Sequence, residues 1–258
     1  FHSCVANHVG ENQDDHCVLN RDDQVAWDLR EKTKANIIGF GFSRGSGGGN
    51  IAYIDQGVIS LEIDGAITPL VPVSSIGLRG NHNISNVLAA CTISHLAGAK
   101  PDEMRQAVEN FTGVAHRLEY VREFRGAKWY NDSIATAPER TIAAIHSFSE
   151  PIILLLGGRD KNLPWEKLAD LIHQRVDHVI VFGEAAPKIT DALGKNKSHT
   201  RPHSIFTTIT MTEAVKAAAE IAQPGDIVLF APGGTSFDEY RDFEERGETF
   251  KEWVNQLQ

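Results

Sequence analysis

From Glu119 to Gln256 the sequence alternates short apolar runs with longer amphipathic stretches, a rhythm that few folds accommodate. Glu119–Phe124 and Ala127–Tyr130 read as strands joined by the turn Arg125-Gly126. Helix Pro138–Phe148 follows, then strand Ile152–Leu156, helix Trp165–Arg175, strand His178–Phe182 and helix Ala186–Leu193. Strand Ile205–Ile209, helix Thr212–Ala222, strand Asp226–Phe230 and helix Phe243–Gln256 close the chain. Apolar runs too short for a helix, separated by stretches long enough to cross back over a sheet, predict an α/β fold. Its sheet is mainly parallel and doubly wound.

The preceding residues have a different texture. His16–Asn20, Asn36–Phe42, 51–54, 57–63 and Ile67–Val73 read as strands, with a hairpin signal at Gln56-Gly57 and a loop at Ser43–Asn50 that holds four glycines. A helix through Trp27 to Lys32 separates the first two strands. From Ile84 to Gly98 apolar residues return at helical spacing through Val87, Leu88, Cys91, Ile93 or Ser94, and Leu96, with Asn81 or Asn83 as the expected N-cap. A second helix starts at Pro101, a residue tolerated in a first turn, and runs to about Asn110. Phe111–Ala115 then reads as a hinge. A chain of 258 residues suits two domains, and the expected division is 1–113 and 114–258.

Composition narrows the partners. A net charge of −9 with no basic stripe argues against nucleic acid. No apolar run approaches the roughly 20 residues that span a bilayer, and no signal peptide is evident, so neither a membrane nor secretion is expected. Cys4, Cys17 and Cys91 are odd in number and unpaired in spacing, which fits a reducing cytoplasm. The opening Phe-His-Ser-Cys lacks Met and reads as the start of a fragment or of a processed chain.

Ligands of open α/β sheets collect at the carboxyl ends of strands. Those ends carry Asn131-Asp132-Ser133-Ile134-Ala135-Thr136, Gly157-Gly158-Arg159-Asp160-Lys161, Gly183-Glu184, and Gly233-Gly234-Thr235-Ser236. Each has two readings. Asp132 and Ser133 are ligand contacts or a helix cap, and Gly157-Gly158 is a ligand loop or a plain turn. Lys161 is an anion partner or a solvated lysine. Gly233–Ser236 is a turn and cap or a cradle of N–H groups at a helix start. Asn83 and Asn86, three apart near a helix start, either meet a purine edge or cap the helix. Arg117, at the hinge, touches a ligand or makes a salt bridge. It is the conjunction that points to a polar ligand site.

Together these segments resemble the Mur ligase family, its D-glutamate-adding members in particular. The residues that carry the resemblance are Leu78-Arg-Gly-Asn-His-Asn-Ile-Ser-Asn86, His116-Arg-Leu-Glu119, Tyr130-Asn-Asp-Ser-Ile-Ala-Thr136, Gly157-Gly-Arg-Asp-Lys161 and the run from Ser236 to Gly247. The resemblance implies part of a central ATPase domain, a mixed sheet with helices, followed by a Rossmann-like carboxy-terminal domain. It implies an enzyme of peptidoglycan synthesis. ATP, with Mg²⁺, would phosphorylate the alanyl carboxylate of UDP-N-acetylmuramoyl-L-alanine, and the amine of D-glutamate would attack the acyl phosphate. By the same resemblance Asn83 and Asn86 border the adenine, while Arg117 and Asp132 hold the ribose and phosphate side. Thr136, Lys161, Ser236, Phe237 and Phe243 receive D-glutamate. No residue is assigned to hold the metal.

Three features depart from the family pattern. No G-x-x-x-x-G-K-[ST] phosphate loop occurs in the sequence, and Gly45–Gly49 lacks the lysine and the following helix. Ala6 stands where the family has a carbamylated lysine, and Ile134 where its Asn-Asp-Ser segment has lysine. The 258 residues are therefore expected not to catalyse ligation alone. The competing readings are a folylpolyglutamate synthetase-like ligase and a non-catalytic module that binds nucleotide or D-glutamate.

Overall fold

The computed structural model describes residues 15–46, 49–194 and 201–258, which form two compact units divided between Thr112 and Gly113. Cys4 and Ala6 lie outside the described residues.

In the first unit five strands form one sheet in chain order: β1 (His16–Asn20), β2 (Asn36–Phe40), β3 (Ile51–Asp55), β4 (Val58–Ile63) and β5 (Ala66–Pro72). β1, β2 and β3 run parallel, and β3, β4 and β5 form an antiparallel meander. A short helix α1 (Gln24–Asp28) follows β1, capped by the Asp23 carboxylate. Helices α2 (Asn81–Leu96) and α3 (Pro101–Asn110) come after the sheet. Ile38, Ala52, Ile59, Leu61 and Val71 of the strands bury against Val87, Leu88 and Cys91 of α2 and Met104 of α3.

The structure corrects the expected α2 in two respects. Asn81 is its first residue and Gly80, at φ +92°, occupies the cap. The Asn83 amide donates to Arg79 O at 2.8 Å instead of capping an N–H group. The buried stripe continues to Thr92, whose hydroxyl donates to Leu88 O, while Ile93 faces outward. A step of four from Leu88 keeps the same face, and a hydroxyl satisfied within the helix can occupy it.

In the second unit β6 (Glu119–Phe124), β7 (Ala127–Asn131), β8 (Ile152–Gly157), β9 (His178–Phe182), β10 (Ser204–Thr207) and β11 (Ile227–Gly233) form a sheet of order β10-β9-β8-β11-β7-β6. All neighbours are parallel except the β6–β7 hairpin. Helices α4 (Pro138–Ile145), α5 (Glu166–Arg175) and α6 (Ala186–Leu193) cover one face, and α7 (Met211–Ile221) and α8 (Phe243–Gln256) the other. The period of two decides which strand residues meet which layer. Ile152, Leu154 and Leu156 pack with α4–α6, while Ile153 and Leu155 pack with α7 and α8. Every residue of β8 is buried, so its unbroken Ile-Ile-Leu-Leu-Leu run is what a strand covered on both faces requires. Each such side chain contributes about 1.5–3 kcal/mol by leaving water.

Helix α4 ends at Ile145, short of the expected Phe148. Phe148 instead packs its ring edge-on to Tyr130, the centroids 4.9 Å apart. β10 covers Ser204–Thr207 and stops before Ile209, and β11 extends through Gly233.

Candidate functional site

The winding places the site. β7 and β8 are each followed by a helix on one face of the sheet, and β11, lying between them, is followed by α8 on the other. Chain leaving in opposite directions opens crevices beside the carboxyl end of β11, which is where doubly wound sheets take ligands. Three of the sequence-predicted segments meet there: 131–136 after β7, 157–161 after β8 and 233–236 after β11.

Glycine permits the approach of two of them. A Cβ on Gly158, at φ +94°, would lie 2.2 Å from Thr235 O, so only glycine lets the β8 and β11 loops come together. They are joined by mutual bonds, Arg159 N–H to Thr235 O at 2.9 Å and Thr235 N–H to Arg159 O at 2.8 Å. Gly157-Gly158 is thus more than a turn. The Lys161 ammonium lies 3.3 Å from Thr136 Oγ1, so the β7 and β8 loops also converge on paired donors. Asp160 braces the second loop by accepting from Trp165 Nε1 at 3.0 Å and from Lys188. Burial pushes its carboxyl up, but those bonds outweigh burial and hold it below the usual range.

Asp132 and Ser133 do not cap α4, whose N-cap is Ala137. Asp132 Oδ1 accepts from Leu118 N–H at 3.0 Å. Burial drives its carboxyl up to about 6, against that bond and the nearby charges of Arg117 and Arg140. Arg117 is half-buried between His116 and Leu118, both at positive φ, 63° and 44°. Ser133 Oγ donates to Phe243 O at 2.8 Å.

Ser236 is buried, but no helix begins there. Its carbonyl accepts from Tyr240 N–H in a turn, and α8 starts at Phe243 under an Asp242 cap. Of the two readings of Gly233–Ser236 neither holds in full: the segment leads into a turn and forms neither a cap nor a cradle at a helix start. Phe237 is 59% exposed, and Phe243 is half-buried with its ring edge-on to His116. Asn83 and Asn86 belong to the first unit, where Asn83 is buried and Asn86 exposed.

Sequence reasoning missed two parts of this end of the sheet. The first is Arg246, wholly buried in α8 and bonded to Ser133 and Gly234. Burial pushes its guanidinium down to about 10, opposed by Asp238 and Tyr240. The legible signal was an arginine four residues before Phe250 and eight before Val254, on the apolar stripe of its helix. The second is a polar network around Asn131, whose amide lies 3.0 Å from both His116 Nδ1 and Glu119 Oε2, with Lys251 3.0 Å from Glu119 Oε1. Burial pushes Glu119 up, but bonds from the His116 backbone, Lys251 and Asn131 outweigh it and hold the carboxyl below its usual value. This network fastens the segment carrying Arg117 to β7 and α8.

These features define a doubly wound α/β domain whose polar donors converge at a topological switch point. Residues 116–234 match the family described as "Mur ligase, glutamate ligase domain". A protein of Thermoanaerobacter sp. (strain X514) named UDP-N-acetylmuramoylalanine--D-glutamate ligase is 38% identical over 255 residues, which cover 98% of this chain and 55% of that protein. One of the same name from Symbiobacterium thermophilum is 40% identical over 243 residues, covering 94% and 53%. The chain thus spans about half the length of the curated relatives it matches. Among solved structures, a UDP-N-acetylmuramoylalanyl-D-glutamyl-2,6-diaminopimelate--D-alanyl-D-alanyl ligase from Acinetobacter baumannii superposes with a TM-score of 0.62 at 17% identity, covering 95% of this chain and 52% of that one. A MurF ligase from Thermotoga maritima in complex with ADP gives 0.59 at 18% identity, covering 95% and 55%. At such identities these structures speak for the fold alone. Residues 116–234 thus match the glutamate ligase domain of the Mur ligase family, and the chain over nearly its whole length is similar to D-glutamate ligases.

Proposed function

We propose that this chain serves an ATP-dependent amide ligase that joins D-glutamate to UDP-N-acetylmuramoyl-L-alanine in peptidoglycan synthesis, and that its second unit receives the D-glutamate. The observation that carries the reading is the meeting of Lys161 and Thr136 across two strand-end loops. D-Glutamate brings two carboxylates, and these side chains offer an ammonium and a hydroxyl as donors, the charge-assisted pairing that binds anions best. Ser236 and Phe243 stand on the adjoining loop and helix start, and Phe237 is exposed beside them. Arg117 and Asp132 are proposed for the ribose and phosphate side, Asn83 and Asn86 for the adenine, and residues 1–113 as part of the ATPase domain. ATP, when bound, supplies the phosphoryl group that activates the acid. Mg²⁺ takes one or two carboxylates beside substrate phosphates and keeps its waters. It therefore requires no cluster of three metal-capable side chains, and none occurs among the described residues. Without a phosphate loop in the sequence, these 258 residues are proposed to bind rather than to ligate on their own. Among the described residues no helix is long and apolar enough to cross a membrane, and action in the cytoplasm is part of the same proposal.

Isothermal titration of the chain with D-glutamate tests the reading. Lys161→Ala should weaken D-glutamate about tenfold or more, the equivalent of about 1.4 kcal/mol, and leave ADP binding unchanged. Equal affinity in the variant and the wild type, or equal affinity for D- and L-glutamate, would reject it.

A further inference from the structure

We propose that Arg246 is a positioning residue, which holds the segments after β7, β8 and β11 in the arrangement that brings Thr136, Lys161 and Ser236 to one end of the sheet. The identity of the ligand rests on the reading above, whereas the clamp itself does not. Arg246 is 0% exposed. Its Nε donates to Ser133 Oγ at 3.1 Å, its Nη2 to Ser133 O at 2.9 Å and its Nη1 to Gly234 O at 3.1 Å. Ser133 Oγ in turn donates to Phe243 O, so the guanidinium reaches the first residue of α8 through a hydroxyl relay. On the third side a Cβ at Gly158 would come 2.8 Å from Nη1. One planar cation thus bonds the segments after β7 and β11 and lies beside Gly158 after β8, with its carbon 5.9 Å from the centre of the Phe230 ring.

Stability alone does not call for this arrangement. All three acceptors are neutral oxygens, and taking a cation out of water costs several kcal/mol that such bonds repay only in good geometry. The position lies on the stripe that carries Phe250 and Val254, where an apolar side chain would pack as well. What an arginine adds there is a rigid fork with donors fixed in one plane. Lysine keeps the charge, but its three donors radiate from one nitrogen, so it cannot reproduce the spacing with which the planar fork spans Ser133 and Gly234.

The test uses the whole 258-residue chain with Arg246→Lys and, should that variant fail to fold, Ser133→Ala. Amide hydrogen exchange is read at Ala135, Arg159, Gly233 and Thr235, whose N–H groups bond within and between the clamped loops. Leu154 and Leu229 in the sheet interior serve as references. Arg246→Lys should speed exchange at the four loop amides at least tenfold and leave the references within twofold. It should also weaken D-glutamate at least tenfold. Ser133→Ala, which cuts the relay to Phe243, should speed Ala135 and weaken D-glutamate severalfold with the same references unchanged. Acceleration spread evenly over loops and sheet would make Arg246 an ordinary stabilising residue, and unchanged loop amides would remove the clamp; either result overturns the proposal. If the wild-type chain takes no D-glutamate, the acidic-ligand reading fails, and the exchange pattern still decides the role of Arg246.

Discussion

Asp132 lies at the end of β7 with one carboxylate oxygen on the Leu118 amide and little access to water. Its carboxyl titrates at about 6 in the folded protein against an ordinary value of 3.8. Between those two values the folded state holds a proton that the unfolded chain has released. Stability contributed by the protonated group is therefore intact below pH 3.8 and is lost as pH rises through 6. The loss is on the order of 3 kcal/mol by pH 7. An asparagine side chain in its place would keep an oxygen for the Leu118 N–H and carry no charge, so Asp132→Asn should be the more stable protein at neutral pH. Urea unfolding of both proteins at pH 4 and pH 7 measures this. The variant should gain about 1–3 kcal/mol on the wild type across that interval, and parallel curves at the two pH values would refute the assignment. Keeping a costly carboxylate at a strand end is what a group retained for ligand contact would do.

At the scale of elements, the loops after β8 and β11 are held by absence of side chain as much as by bonds. Gly158 and Gly225 have nearly the same φ, +94° and +95°. A Cβ at Gly225 meets nothing within 4 Å, whereas one at Gly158 runs into Thr235 O and Arg246. Gly225→Ala should cost about 1–3 kcal/mol, the strain of the conformation alone. Gly158→Ala should cost about 1–3 kcal/mol more through crowding and should also impair D-glutamate binding. Thermal unfolding of the pair isolates the crowding, and equal losses would deny the close approach. This contrast also marks where the sequence was legible. The strands and helices of the second unit could be read because burial on both faces leaves an unbroken apolar run, as in β8, and burial on one face leaves a stripe, as in α7. In sequence Gly158 could be read only as part of a ligand loop or a plain turn, since what sets it apart from Gly225 is the carbonyl of a residue distant in the chain where Gly225 meets open space. The same reason hid Arg246, whose partners Ser133 and Gly234 lie on loops that only the winding of the sheet brings together. The cap of α2 was misread because Asn81 and Asn83 carry capping side chains, while Gly80 holds the cap by its backbone conformation.

At the scale of the whole chain, the apolar side chains separate into cores that do not share members. Ile38, Leu61, Leu88 and Met104 belong to a core of the first unit, and the two layers about β8 and β11 belong to the second. The second unit has its sheet covered on both faces by five helices drawn from its own residues, 113–258. A sheet so enclosed needs no further surface to bury its strands, which is the condition for folding independently. Residues 113–258 expressed alone should therefore unfold in one cooperative transition. They should also keep the D-glutamate affinity of the longer chain within about threefold, since Thr136, Lys161, Ser236 and Phe243 all lie within them. Limited proteolysis of the 258-residue chain should release the same piece by cleavage close to Thr112-Gly113, where exposed Phe111, Thr112 and Val114 flank the division. Circular dichroism during urea unfolding, with a D-glutamate titration of the folded piece, measures both properties. A broad, non-cooperative transition would show that the enclosed sheet is not sufficient. A cooperative fold that takes no D-glutamate, when the 258-residue chain does, would show that residues before Gly113 contribute to that site.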